Sequence, residues 1–361
     1  MDSRAWDVFC RVIDNYGDAG VCWRLCRELS RRGHQVRLWI DDARPLQWMA
    51  APSDLEFVQL MAWSEAELRF EAQPGGVVIE AFGCELPDGV KARMAAARPT
   101  PLWLNLEYLS AEDYVERSHG LRSPQWQGPA AGLEKFFFYP GFTARTGGLL
   151  REPGLMEARE AADHEAWLRQ QGIVREPGER LVTLFCYDNP ALPRLLQGLA
   201  GTPTLILACP GPGSRMLHEL QAARALPERL RVQHLPFLSQ DDFDRLLWAC
   251  DLNLVRGEDS FVRAQWAGRP FVWHIYPQDD GAHEAKLQAF MDRAFAGMAP
   301  DQRLAWQALW RAWNGLDSGP EASAPLQLPP LAAATDAFLA WRSGLLTQVD
   351  LVTQLQGFLQ R

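Results

Sequence analysis

Short apolar runs alternate with helically spaced stretches along the chain, and they do so in two successive series. In the first, Trp6–Ile13, Val36–Ile40, Phe57–Leu60, Val77–Phe82, Pro101–Leu106 and Phe136–Tyr139 read as strands. Val21–Arg32 reads as a helix, with Leu25 and Leu29 four residues apart and Gly33-His34 at its end. In the second, strands fit Leu181–Cys186, Thr204–Ala208, Val232–Leu235, Leu252–Val255 and Phe271–Ile275, with helices between them. Strands buried on both faces are apolar throughout, and their regular exchange with helices implies a parallel sheet covered on both sides. The expected class is α/β, with two Rossmann-like doubly wound domains.

Residues 141–160 break the pattern with Gly, Arg and Glu, which sets the expected domains at 1–155 and 160–335. A chain of 361 residues fits two domains of about 150–180 residues each. Gly319-Pro320, Pro325 and Pro329-Pro330 mark a loop before a last helical stretch from Leu331. Its end, about 340–361, is expected to pack back on the first domain. Two such domains in tandem suggest a ligand cleft between the carboxyl ends of their sheets. Neither first turn carries G-x-G-x-x-G, which counts against a dinucleotide-binding dehydrogenase.

A net charge of −9 argues against nucleic acid and anionic membrane as partners and suits a partner with a basic surface. The seven Cys (10, 22, 26, 84, 186, 209 and 250) are scattered through apolar runs and read as reduced core thiols. No apolar signal region opens the chain and no run reaches transmembrane length, so the expected location is the cytoplasm. The fifteen Trp suit a core and also suit stacking on bases and sugars.

The strand Asp251–Val255 runs into Arg256-Gly257-Glu258-Asp259-Ser260 and then a helix. A strand that turns into a helix through Gly and an Asp/Ser cap suits a phosphate group, since free N–H groups and the helix dipole meet there. An ordinary N-capped helix would need only the Asp and Ser. Glu258 beside such a site is unfavourable unless it has work of its own. In the first domain, Asp14-Asn15-Tyr16-Gly17-Asp18-Ala19-Gly20 forms the first βα turn, with both carboxylates expected in the crevice. Helix capping and an Asx-turn explain one acid well and two poorly. A guanidinium would satisfy both, because its planar fork matches carboxylates.

Tyr187-Asp188-Asn189-Pro190 holds the corresponding place in the second domain; Tyr187 faces the crevice, and the rest reads as a turn. Gly211-Pro212-Gly213-Ser214 fits either phosphate approach or a plain loop. Phe237, Gln240 and Phe243 suit a base-recognition pocket, with helix core as the other reading of Phe243. Asp242-Phe243-Asp244 has the D-x-D form that holds a metal in some sugar transferases, but in a first helical turn it complements the dipole. The seven His show no ligand spacing, so no metal is expected.

The blocks Asp14-Asn15-Tyr16-Gly17-Asp18-Ala19-Gly20-Val21-Cys22-Trp23-Arg24-Leu25 and Arg256 through Trp273-His274-Ile275-Tyr276-Pro277-Gln278 closely resemble the bacterial elongation factor P arginine rhamnosyltransferases (EarP). The resemblance runs essentially end to end. It implies a GT-B fold and an inverting, metal-independent transfer of rhamnose, without a cofactor. The donor is dTDP-β-L-rhamnose, bound by the second domain. The acceptor is one arginine of elongation factor P, bound by the first and thereby activated for ribosomes stalled at polyproline. It makes Asp18 the acceptor-side catalytic carboxylate, Asp14 its helper in holding arginine, and Glu258 the second essential acid. Asn15, Tyr16, Gly17, Tyr187, Phe237, Gln240, Phe243, Arg256, Gly257, Asp259, Ser260 and Tyr276 would line the donor site. Two other readings share the fold: a glycosyltransferase or epimerase with a small-molecule acceptor, and a non-catalytic nucleotide-sugar-binding protein.

Overall fold

The computed structural model describes residues 4–13, 16–73, 75–278, 280–317 and 323–359, and in these twelve strands form two sheets. The chain divides into a first unit, Met1–Glu152 with Gln348–Arg361, and a second, Pro153–Thr347. In the first, β1 (Ala5–Cys10), β2 (Gln35–Ile40), β3 (Val58–Ala62), β4 (Val77–Ala81), β5 (Leu102–Leu106), β6 (Arg122–Pro124) and β7 (Glu134–Phe138) lie in the order β3-β2-β1-β4-β5-β7-β6. Neighbours are parallel except β6 and β7. The second sheet is wholly parallel: β8 (Arg180–Leu184), β9 (Thr204–Ala208), β10 (Leu230–His234), β11 (Leu252–Arg256) and β12 (Phe271–His274), in the order β10-β9-β8-β11-β12. Both sheets therefore reverse direction between their first and fourth strands. Ligands of doubly wound folds bind at the carboxyl ends of the strands at that point.

Three sequence expectations are corrected. Strand β1 stops at Cys10, and the helix after it begins at Gly17, four residues earlier than its apolar spacing indicated. Gly17, Asp18, Ala19 and Gly20 are thus its first turn and not a loop. Strand β6 was not anticipated; it is three residues ending in Pro124, tolerable only because it is an edge. The terminal stretch is two helices, Leu331–Leu346 in the second unit and Leu351–Phe358 in the first. Asp350 separates them as an N-cap that accepts from the Thr353 backbone N–H.

Leu351, Val352, Leu355 and Phe358 are buried in the first unit's core with Val8, Leu25, Leu38 and Phe138. Burying each such side chain stabilises by about 1.5–3 kcal/mol. Arg32 anchors the same helix through Asp350, Thr353 and Gln356. Eleven of the fifteen Trp are buried and serve the core, and Trp6, Trp23, Trp39, Trp266, Trp306, Trp310 and Trp313 are essentially inaccessible. No helix among the described residues is long and apolar enough to cross a membrane.

Candidate functional site

In the second unit, β11 ends at Arg256, and Gly257 turns the chain toward the helix Asp259–Ala267. Gly257 has φ +63°, a conformation glycine adopts without steric cost. The Trp273 indole N–H donates to its carbonyl at 2.9 Å and holds the turn. The Arg256 side chain is buried, its guanidinium carbon 4.5 Å from the ring centre of Phe185 and 4.7 Å from that of Tyr187. Aromatic faces stabilise a desolvated cation. The loop after β9 passes the same guanidinium, since a Cβ on Gly211 would lie 3.7 Å from Nη2.

Gly211, with φ +139°, is the N-cap of the helix Pro212–Ala222, and Glu258 is the N-cap of Asp259–Ala267; neither makes a side-chain capping bond. The expected Asp/Ser cap is therefore corrected. The Ser260 hydroxyl donates back to the Arg256 carbonyl and closes the strand end. Two helix N-termini and one guanidinium, all favouring negative charge, make an arrangement suited to phosphate groups.

Aromatic rings extend this site. Tyr187 packs edge-on to His274 at 5.3 Å and to Tyr276 at 5.4 Å. Phe243 meets Phe185 at 5.7 Å. Phe243, Phe185, Arg256, Tyr187 and Tyr276 thus form one chain of contacts. Phe237 and Tyr276 are nearly half exposed, whereas Gln240, which opens the helix Gln240–Ala249, is buried. Burial, reinforced by the Arg256 cation, pushes the His274 imidazole down to about 4, so it is neutral at pH 7. Phe185 and His274 escaped sequence reasoning because they read as strand interior. Their positions at the carboxyl ends of β8 and β12 were the available signal.

The D-x-D acids have structural partners. Asp242 accepts from the Trp167 indole at 3.0 Å and from the hydroxyl of the N-cap Ser239 at 2.9 Å. Asp244 is buried against Arg263, in two bonds of 2.8 and 2.6 Å. Among the described residues no group of three or more His, Cys, Asp or Glu is placed to hold a metal ion. Asp188 pairs with Arg215 at 2.6 Å, and Asn189 accepts from the Ala191 N–H in a turn.

In the first unit, Asp18 is the second residue of the helix Gly17–Arg31 and is buried. Its Oδ2 accepts the Ile13 backbone N–H at 2.8 Å. The N-cap position belongs to Tyr16, so Asp18 is neither a capping residue nor an isolated loop carboxylate. It ties the segment after β1 to the helix. Tyr16 packs edge-on to Trp48 at 5.4 Å, and Gly17 is the first helical residue. Asp14 and Asn15 lie outside the described residues.

On the other side of this switch point, the turn after β4 carries Phe82 at φ +57°, Gly83 at +63° and Glu85 at +52°. Non-glycine residues in this region are uncommon and cluster at functional sites. Phe82 is held by stacking on Tyr108 at 4.5 Å, and the Glu85 N–H by Glu80 Oε1 at 3.0 Å. Sequence reasoning missed this turn, whose one visible sign was Gly83 directly behind a buried strand.

Comparison with known proteins accords with this geometry. Residues 6–360 match the family described as Elongation-Factor P (EF-P) rhamnosyltransferase EarP. A protein-arginine rhamnosyltransferase of Pseudomonas aeruginosa is 46% identical, covering 86% of this chain and 87% of that one. One of Pseudomonas putida is 45% identical over 98% of each. A solved structure described as the structural basis for EarP-mediated arginine glycosylation of translation elongation factor EF-P covers 99% of this chain and 98% of its own. It is 34% identical, with a TM-score of 0.64. Acinetobacter baumannii MurG, 14% identical with a TM-score of 0.51 and 99% coverage of both chains, shares the GT-B fold. The chain belongs to the Elongation-Factor P (EF-P) rhamnosyltransferase EarP family of glycosyltransferases.

Proposed function

We propose that this enzyme transfers L-rhamnose from dTDP-β-L-rhamnose to the guanidinium of one arginine of elongation factor P, in the cytoplasm, with inversion and without a metal. The observation that carries the donor half is Arg256, buried between Phe185 and Tyr187 beside Gly211 and just ahead of the Glu258 N-cap. In this reading Arg256, Gly257 and the N–H groups at Asp259 and Ser260 hold the diphosphate. Phe243, Phe237 and Gln240 recognise the base, and Tyr187 and Tyr276 border the sugar. Family membership and the protein-arginine rhamnosyltransferase relatives support the acceptor half.

A guanidinium is fully protonated in water and its lone pairs are delocalised, so it is a poor nucleophile. Asp18, with Asp14, grips it and points one nitrogen at the anomeric carbon. As the carbon–nitrogen bond forms and the bond to the β-phosphate oxygen breaks, that nitrogen becomes acidic and gives its proton to a carboxylate. General-base assistance of this kind contributes about 10²–10⁴-fold. The departing dTDP carries its charge onto Arg256 and the helix N–H groups, which are already oriented to receive it. Glu258 interacts with the sugar end, near the leaving phosphate. Asn15, Tyr16 and Gly17 complete the donor contacts.

Mass spectrometry of elongation factor P after incubation with the enzyme and dTDP-rhamnose tests reaction and acceptor together. A deoxyhexose increment on one arginine is the expected result. Turnover of free arginine as good as that of the protein would instead indicate a small-molecule acceptor. Donor bound but never consumed would indicate a sensor.

A further inference from the structure

Behind β2 a hollow of about 690 Å³ opens in the first unit, lined by Asp41, Asp42, Arg44, Leu46, Leu55 and Leu60 among others. Its floor is aliphatic. Leu46 is buried, while Leu55 and Leu60 are 39% and 40% exposed into a space that none of the described residues fills. Its rim is charged, and the two acids there differ. Asp42 is engaged by the fork of Arg44, through Nε at 2.8 Å and Nη2 at 2.5 Å, which holds its carboxyl below the usual range. Asp41 accepts the Val12 N–H through Oδ1 at 2.9 Å, and its Oδ2 lies 4.0 Å from the exposed Arg11. An exposed pair at that distance is worth little, so Oδ2 keeps most of its capacity for an incoming cation.

The hollow is mechanically joined to the candidate acceptor carboxylate. Two consecutive backbone N–H groups, Val12 and Ile13, donate to Asp41 and to Asp18 respectively. Trp48, which supports Tyr16 beside Asp18, comes from the helix Leu46–Met49 that contributes Leu46 to the lining. Residues one to a few positions from an arginine held at Asp18 are therefore within reach of Asp41, at about 3.3–3.6 Å of chain per residue.

We propose that this hollow is the docking subsite for a lysine or arginine side chain that flanks the acceptor arginine on the folded partner. A long basic side chain lays its methylene stem on Leu46, Leu55 and Leu60 and delivers its charge to Asp41. The space exceeds one such side chain and leaves room for its neighbours in the acceptor loop. The Asp42–Arg44 pair sets the far wall, and an acidic or short residue at the same place gains neither contact. The inference rests on the acceptor reading given under Proposed function and adds to it a rule about the acceptor's neighbouring residues.

Two variants outside the catalytic set and one charge-swap pair test it, with steady-state transfer to folded elongation factor P as the readout. Asp41→Asn keeps an oxygen for Val12 and removes the charge. It is expected to raise KM for the protein acceptor about fivefold, with kcat within about twofold. Leu60→Arg, on an exposed edge-strand position, places like charge in the hollow and is expected to raise KM tenfold or more. Affinity for dTDP stays unchanged in both, and unchanged melting temperatures show that both fold. Asp41→Lys should be rescued by an elongation factor P variant in which a basic residue near the acceptor arginine is replaced by Glu. Wild-type KM in both variants, or losses confined to kcat, would overturn the subsite while leaving the transfer reaction standing. Absence of transfer by the unaltered enzyme would overturn the acceptor reading and this inference with it.

Discussion

At the carboxyl edge of the first sheet the first helical turn after β1 carries Asp18, and the segments after β2 and β4 carry Asp41, Asp42 and Glu85. At the same edge of the second sheet the strand ends and the segments after them carry Arg256, Tyr187, a neutral His274 and the beginnings of two helices that lack side-chain caps. The five strands of the second sheet follow the order of the first five of the first sheet, with the same switch point, and the first sheet adds β7 and β6. The chemistry differs because only the last residue of each strand and the first few beyond it reach the edge, while everything before them is spent on the core. One scaffold can thus present anionic acceptors in one unit and a desolvated cation with oriented N–H groups in the other. A cationic acceptor side chain and an anionic donor are the pair of substrates this contrast fits.

The contrast breaks most visibly at Asp18. Asp18→Asn retains an oxygen for the Ile13 N–H but loses the negative charge. If the carboxylate only fastens the segment after β1, activity and stability survive. If it holds arginine and takes the proton, turnover falls by at least about 10²-fold. Because Asp18 is assigned to the acceptor, and the diphosphate and base contacts proposed for Arg256, Phe237, Gln240 and Phe243 lie in the second unit, dTDP affinity measured by calorimetry should remain close to that of the wild type. Glu258→Gln should also slow turnover, but with an altered donor affinity, since Glu258 is the N-cap of the helix beside Arg256. Equal effects of the two variants on donor binding would dissolve the division of labour.

Arg256→Lys sharpens the opposite side. Lysine keeps the charge but loses the planar fork and the broad cation that lies on Phe185 and Tyr187. Charge-assisted hydrogen bonds are worth about 1.5–3 kcal/mol, so dTDP should bind about 10–100-fold more weakly. Turnover at saturating donor should recover part of the loss. Unchanged dTDP affinity would show that the phosphates are held elsewhere.

How much of this was legible depended on what each residue does locally. Parallel strands buried on both faces are uninterrupted apolar runs, so eleven of the twelve strands stand out in the sequence, and β6, three residues with a proline, does not. The helix start at Gly17 was hidden because Gly-Asp-Ala-Gly has the composition of a turn. Helix formation prevails there because Asp18 reaches back to Ile13 and the following apolar face is buried. Arg256 and Tyr187 were visible as polar or aromatic residues at strand ends. Phe185 and His274 continue apolar runs and gain their meaning only from Arg256. The D-x-D string was ambiguous in sequence, and Trp167 and Arg263, distant along the chain, decide its use.

The smallest expected effect concerns His274, which tests whether the second edge is built for a single cation. Its Nδ1 is buried without a hydrogen-bond partner among the described residues, and its ring packs against Tyr187 and Trp313. Burial and Arg256 lower its pKa from 6.5 to about 4 in the folded chain. The unfolded chain therefore takes up this proton first as pH falls. His274 costs no stability above about pH 6.5, and its penalty grows as pH falls from there toward 4. The penalty is about 1 kcal/mol at pH 6 and about 2 kcal/mol at pH 5. His34, His164 and His234 are also lowered by burial and act with the same sign, so only the difference between two proteins isolates His274. His274→Phe keeps the ring and cannot titrate. Urea unfolding should find the two proteins separated by a constant offset from pH 7 to 8. Below pH 6.5 the wild type should fall away from the variant by the amounts above. Parallel profiles down to pH 5 would mean that the imidazole is protonated beside Arg256 after all, and that the second edge tolerates two cations where the physical reading allows one.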